Sequence, residues 1–214
     1  MTPRTTERYT VDGPAGALEI ALNIPACAPR GIALVAHPHP LQGGTLDNKV
    51  AQTLAKTFHT LGYAAVRFNF RGVGRSEGAF DDGAGETGDA LAALAHALKR
   101  LDGHAGPLPV VLAGFSFGTY VQTRVARSIH AERLVLVGPA VQRFADVAVP
   151  ADTIVIHGEQ DDVVPLADVL AWARPHELPV VVFPGCGHFF HGRLVQLQRT
   201  IAGMWHRHAV APGA

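Results

Sequence analysis

Short runs of consecutive apolar residues alternate along this chain with longer stretches in which apolar positions recur every three or four residues. The short runs, at 31–36, 64–70, 110–113, 134–137, 153–156 and 180–183, read as strands. The longer spacing predicts helices over 46–61 (Val50, Leu54, Phe58, Leu61) and 86–101 (Leu91, Leu94, Leu98, Leu101). It predicts three more over 119–129, 166–173 and 194–205. Gly62 is placed to end the first helix. Strands that are apolar at every position, rather than at alternate ones, belong in a parallel sheet covered on both faces. Strict β/α alternation gives the same architecture. The first 25 residues differ: segments 8–11 and 17–24 predict an antiparallel hairpin at one sheet edge. No repeat or low-complexity linker divides the chain, so one α/β domain over 1–214 is expected.

Composition narrows the classes. The 214 residues are 48% hydrophobic and 17% charged, enough apolar content for a sizeable core. Eighteen basic side chains balance 18 acidic ones, which argues against a nucleic-acid partner. The apolar runs are far shorter than the ~20 residues a membrane helix needs. Residues 1–10 have no apolar leader stretch, so a cytoplasmic location is the expectation. Two cysteines, Cys27 and Cys186, make neither a disulfide framework nor a cysteine zinc site. Fifteen Arg against three Lys, with abundant Ala, suggests a GC-rich bacterial coding bias.

Gly114-Phe115-Ser116-Phe117-Gly118 fits G-x-S-x-G between a strand and a helix. That context matters physically. A serine on a sharp strand-to-helix turn is exposed at the sheet's end, flanking glycines let the two segments pass closely, and the helix N-terminus favours developing negative charge. With 23 glycines and only three serines, chance would produce the pattern roughly 3% of the time. A serine hydroxyl also needs a histidine to take its proton and a carboxylate to orient that histidine. Both should follow later strands, in the order Ser, acid, His. After 153–156 comes His157-Gly158-Glu159-Gln160-Asp161-Asp162, in which Glu159, Asp161 and Asp162 compete as the acid. After 180–183 comes His188, with His191 a helical turn later.

Jointly, the segments HPHPLQGGTLDNKV (37–50), RFNFRGVGRSEG (67–78), GFSFG (114–118), HGEQDDVVP (157–165) and GHFFHG (187–192) resemble the compact, lidless bacterial serine hydrolases and esterases of the α/β-hydrolase superfamily, the dienelactone hydrolase-like group. The resemblance spans nearly the whole chain. It implies a mostly parallel central sheet with helices on both faces, an antiparallel N-terminal edge and no lid domain. It also implies a catalytic Ser116, Asp161 and His188, because the superfamily loop H-G-x-x-D-x-x-V-P places the acid at Asp161. Dienelactone hydrolase itself uses a cysteine where this chain has Ser116, so the fold is carried over and that substrate is not. Larger superfamily members insert a lid after the strand following the nucleophile helix. Here that interval, 139–152, is too short for one, and a shallow, open site is expected.

An oxyanion needs two N–H donors. One is that of Phe117; the other lies in 37–41, where Pro38 and Pro40 have none, leaving His39 and Leu41. The resemblance puts His39 first and Leu41 second. His37 and His39 form an H-x-H pair without two further ligands at suitable spacing, so no metal is expected. The Arg71-Gly72-Val73-Gly74-Arg75-Ser76 turn lacks the ending of a phosphate loop and reads as shaping its loop. Asp81, Asp82, Glu86 and Asp89 read as a solvated helix start, His206 and His208 as a solvated tail, Phe115 as core, and Phe117 as bordering the acyl site. The expectation is a cofactor-independent serine carboxylic-ester hydrolase acting through an acyl-enzyme on small, short-acyl esters, without nucleic-acid or membrane partners. A thioesterase, peptidase or acyltransferase has the same triad. A non-catalytic binding protein on this scaffold is disfavoured because all three triad positions are intact.

Overall fold

The structure, a computed structural model, describes residues 6–102, 106–144 and 149–209, with side chains through 205. The predicted hairpin forms as β1 (Glu7–Gly13) and β2 (Gly16–Asn23). Then follow β3 (Ile32–Ala36), α1 (Lys49–Thr60), β4 (Ala64–Phe68), α2 (Ala84–Arg100), β5 (Val110–Phe115) and α3 (Phe117–Val125). The chain continues through β6 (Arg133–Val137), β7 (Ile154–Gly158), α4 (Leu166–Ala173), β8 (Val180–Phe183) and α5 (Leu194–Ala209). The eight strands form one sheet in the order β1-β2-β4-β3-β5-β6-β7-β8. Pairing is antiparallel at β1–β2 and β2–β4 and parallel from β4 to β8.

Every residue of β3 through β7 is buried. Alternate positions feed opposite layers, as the pleat requires. Ala33, Val35, Val111, Ala113 and Val135 pack under α1 and α5, whereas Leu34, Leu112, Leu134 and Leu136 pack against α2 and α3. Asn48 starts α1 by accepting from the N–H groups of Val50 and Ala51. Among the described residues, no helix is long and apolar enough to cross a membrane.

Three sequence expectations change. The buried face of α2 is Ala90, Ala93, Leu94 and Ala97, while Leu98 alone of the predicted leucine row is exposed; the alanines let the helix sit close to the sheet. The acidic start of α2 is solvated only in part: Asp81 and Asp82 are exposed, but Glu86 and Asp89 are buried. Glu86 accepts from the N–H groups of Asp81 and Gly83, and Asp89 pairs with Arg71 at 2.9 Å. The predicted tail at His206 and His208 continues α5, although those side chains lie outside the described residues. The 71–76 turn does shape its loop, since Ser76 Oγ accepts from Glu19 N–H and donates to Asn69 O.

Buried histidines give the fold a pH signature. His37 is fully buried and its pKa is lowered by burial to about 3. Burial also lowers that of His157. Both are therefore neutral when folded and protonatable when unfolded. Below pH ~6.5 the unfolded chain binds more protons, so stability is full above that value and falls as the pH drops toward 3. Each histidine contributes a slope of at most ~1.4 kcal/mol per pH unit. Urea midpoints should hold between pH 7.5 and about 6.5 and then fall toward pH ~5.5, above the range in which ordinary carboxylates protonate. A flat profile would contradict the assignment.

Candidate active site

β5 delivers Phe115 into the core, and α3 begins two residues later at Phe117. Ser116 occupies the corner with φ 53° and ψ −122°. This conformation costs a non-glycine residue about 1–3 kcal/mol and persists only where the surroundings hold it. Here Ser116 N–H donates to Val137 O at 3.0 Å, and Ser116 O accepts from the N–H and Oγ1 of Thr119. Both glycines of the motif are sterically required. A Cβ on Gly114 would meet the backbone of Gly118, and one on Gly118 would fall on Ala36 O.

The acid and the histidine come from the ends of β7 and β8, whose loops are stitched together. Glu159 N–H donates to Phe183 O at 3.0 Å, Gln160 N–H to Cys186 O at 2.9 Å, and Gly185 N–H to Glu159 Oε2 at 2.7 Å. Of the three competing acids, Asp161 is the buried one that meets His188, with Oδ2 2.7 Å from Nδ1. Its Oδ1 accepts from Val163 and Val164 N–H. Burial pushes the Asp161 carboxyl up, but the His188 and Val164 hydrogen bonds outweigh it and hold the group below the usual carboxylate range. Asp162 is exposed. His157 donates from Nε2 to Val164 O and stands 3.5 Å from Asp161 Oδ2, a supporting contact that the sequence did not reveal.

His188 is buried with its ring against Phe115, centroids 4.9 Å apart. Gly138, at the end of β6, lies beneath it: an added Cβ would come 3.3 Å from His188 Cε1. His191 is exposed. Ser116 and His188 line one cleft of about 70 Å³ with His39, Asn48, Val163 and Phe189. No hydrogen bond joins Ser116 Oγ to His188. The cleft is tighter than the open site expected from loop length, with Ser116 only 8% exposed. Of the interval 139–152, the described part holds one 3-10 turn, Val141–Arg143; residues 145–148 lie outside the described residues.

The loop before Ser116 is fixed by His37. Its Nε2 accepts from Phe70 N–H at 3.0 Å, so Nδ1 carries the proton and donates to Pro38 O at 2.7 Å. Both ring nitrogens are engaged, which removes His37 as a metal ligand. Among the described residues no group of three His, Cys, Asp or Glu side chains is placed to hold a metal ion. His39 lines the cleft and its ring sits between Phe80 and Phe117. Leu41 N–H is engaged by His39 Nδ1 at 3.3 Å, whereas the N–H groups of His39 and Phe117 make no hydrogen bond among the described residues. The ring of Phe117 is buried against Phe70, Phe80 and Tyr120 rather than bordering the cleft.

Comparison with known proteins bears on the fold and family. A family described as serine aminopeptidase, S33, matches residues 39–151, just over half of the chain. The solved structure of an alpha-beta serine hydrolase homologue from Coxiella burnetii is 39% identical, with a TM-score of 0.85 over 95% of this chain and 99% of that one. A Xanthomonas campestris serine hydrolase without a lid is 34% identical, with a TM-score of 0.87 over 100% of this chain and 99% of that one. An uncharacterized protein of Rickettsia prowazekii is 31% identical over 89% of this chain and 84% of its own length. With a strained serine corner, a family match over just over half of its length and relatives matched nearly end to end, the chain belongs to the serine aminopeptidase S33 family of α/β hydrolases.

Proposed function

We propose that this hydrolase cleaves carboxylic esters through an acyl-enzyme formed on Ser116. The observation that carries the reading is the buried Asp161–His188 pair, 2.7 Å apart, opening on the cleft that holds the strained Ser116. Asp161 fixes the proton on His188 Nδ1, leaving Nε2 free to accept one. Ser116 Oγ attacks the acyl carbon as His188 takes its proton. The N–H groups of Phe117 and His39 receive the oxyanion, with the N-terminus of α3 behind it. The tetrahedral intermediate collapses, the alcohol leaves with the proton from His188, and Ser116 carries the acyl group. Water, deprotonated by His188, then attacks the acyl carbon; the acid departs and Ser116 regains its proton. An aminopeptidase must hold a free ammonium group, and no carboxylate among the described residues lines this cleft, which favours esters.

The cleft's ~70 Å³ is about two waters' share of liquid volume. Acetyl and butyryl esters should therefore be hydrolysed at least as fast as C12–C16 esters, with no rate jump at a lipid interface. Comparing kcat/KM across acyl lengths tests this, and a strong long-chain preference would overturn it. Gly138→Ala supplies a subtler check. Its φ of +53° disfavours any side chain, and the new methyl presses on His188. Small displacements of a catalytic group reduce rates steeply, so kcat should fall about 10- to 100-fold while the protein still folds. Unchanged kcat would mean that His188 does not need this support.

A further inference from the structure

A trough of about 620 Å³ lies between α1 and the strands β1, β2 and β4, a volume typical of small-molecule sites. Its charge is one-sided. Arg8, Lys49, Lys56 and Arg67 line it, and Asp47 is the one carboxylate among its lining residues. That carboxylate binds Arg8 at 2.6 and 2.7 Å and lies 3.6 Å from Arg67, so a single anion is shared by two guanidinium groups. Lys49 and Lys56, two of the chain's three lysines, have no ion-pair partner among the described residues. In a chain of zero formal net charge, this concentrates surplus positive charge in one cavity.

A solvated basic face does not account for Arg67. Its side chain is buried on β4, only 7% exposed. Nη1 donates to Leu46 O at 2.7 Å, but Nε is buried without a hydrogen-bond partner among the described residues. Nδ1 of His59, in the same trough, is likewise buried and has no hydrogen-bond partner among the described residues. Burying a guanidinium without its full set of acceptors is costly. A ligand bearing several anionic oxygens supplies both missing acceptors and missing charge.

We propose that this trough binds the phosphate group of a phosphate monoester, held by Arg8, Lys49, Lys56 and Arg67. A phosphate carries close to two negative charges and three acceptor oxygens, a better match to the surplus than one carboxylate. The trough also adjoins the reaction cleft. Asp47 and Lys49 line the trough, while Asn48 between them lines the cleft beside Ser116. A phosphate in the trough is therefore either borne by the ester undergoing cleavage or belongs to a separate ligand. Only the first alternative rests on the ester-hydrolase reading.

Calorimetry on the full-length Ser116→Ala protein separates binding from turnover. Inorganic phosphate and glycerol phosphate should both bind, and Lys49→Ala/Lys56→Ala in that background should weaken each at least about tenfold. Both lysines are exposed on α1, and circular dichroism verifies that the double variant folds. Absence of binding, or binding unchanged in the double variant, overturns the proposal even if the protein proves an active esterase. A kinetic arm identifies the source of the phosphate. With otherwise wild-type enzyme, KM is compared for a butyryl ester of glycerol phosphate and for the neutral butyryl glycerol ester. A lower KM for the phosphorylated ester, lost in the lysine variant at unchanged kcat for the neutral one, supports a substrate-borne phosphate. Equal KM values alongside lysine-dependent calorimetric binding support a separate phosphorylated ligand at the same site.

Discussion

Replacing Ser116 with alanine should leave a folded protein that hydrolyses esters about 10⁴- to 10⁶-fold more slowly and takes no fluorophosphonate label. Alanine keeps the Cβ, so it meets the φ of 53° at much the same cost as serine, and the backbone bonds to Val137 and Thr119 do not involve Oγ. What disappears is the nucleophile. The residual rate would come from oxyanion donors and binding alone, which is why the loss is large but finite. Steady-state kinetics, a thermal melt and probe labelling on the purified variant decide the matter. Turnover near wild type would remove Ser116 from the mechanism.

Asp161→Asn should lower kcat by about 10⁴-fold, whereas Asp162→Asn should change it less than about twofold. The asymmetry follows from the hydrogen bonds. In the Asp161→Asn variant the new amide oxygen still accepts from Val163 and Val164, which turns the amide NH₂ toward His188. His188 must then carry its proton on Nε2 and can no longer take one from Ser116. Asp162 is exposed and has no such part. His188→Ala should likewise be far more damaging than His191→Ala. The reverse ranking in either pair would reassign the role.

The sheet was legible because its strands advertise burial on both faces: runs such as Leu134–Val135–Leu136–Val137 carry no polar position to face water. The elbow was legible because Gly114 and Gly118 are demanded by contacts within a few residues and against one neighbouring strand. Roles that depend on distant partners were not. Gly138 looks like any strand-ending glycine until His188, fifty residues later, is folded over it. Glu86 and Asp89 look solvated because the groups that bury them, the Gly83 amide and the Arg71 guanidinium, declare nothing in their spacing. Arg67 reads as one polar residue in an apolar strand, and only the folded trough reveals its unpartnered Nε. The choice among Glu159, Asp161 and Asp162 required a family motif, since all three lie within reach of the same turn.

The order in which the sheet's strands are written in the chain has a consequence for biosynthesis. Ser116 follows β5, but Asp161 and His188 follow β7 and β8, later in the chain. At translation speeds of about 5–20 residues per second, the serine leaves the ribosome several seconds ahead of His188. On the proposed mechanism, until β8 emerges the nascent chain carries a nucleophile with no group to deprotonate it. Hydrolytic competence thus arrives in a single step, once the loops after β7 and β8 can stitch together. A chain halted before that point holds the serine of a hydrolase without its reactivity.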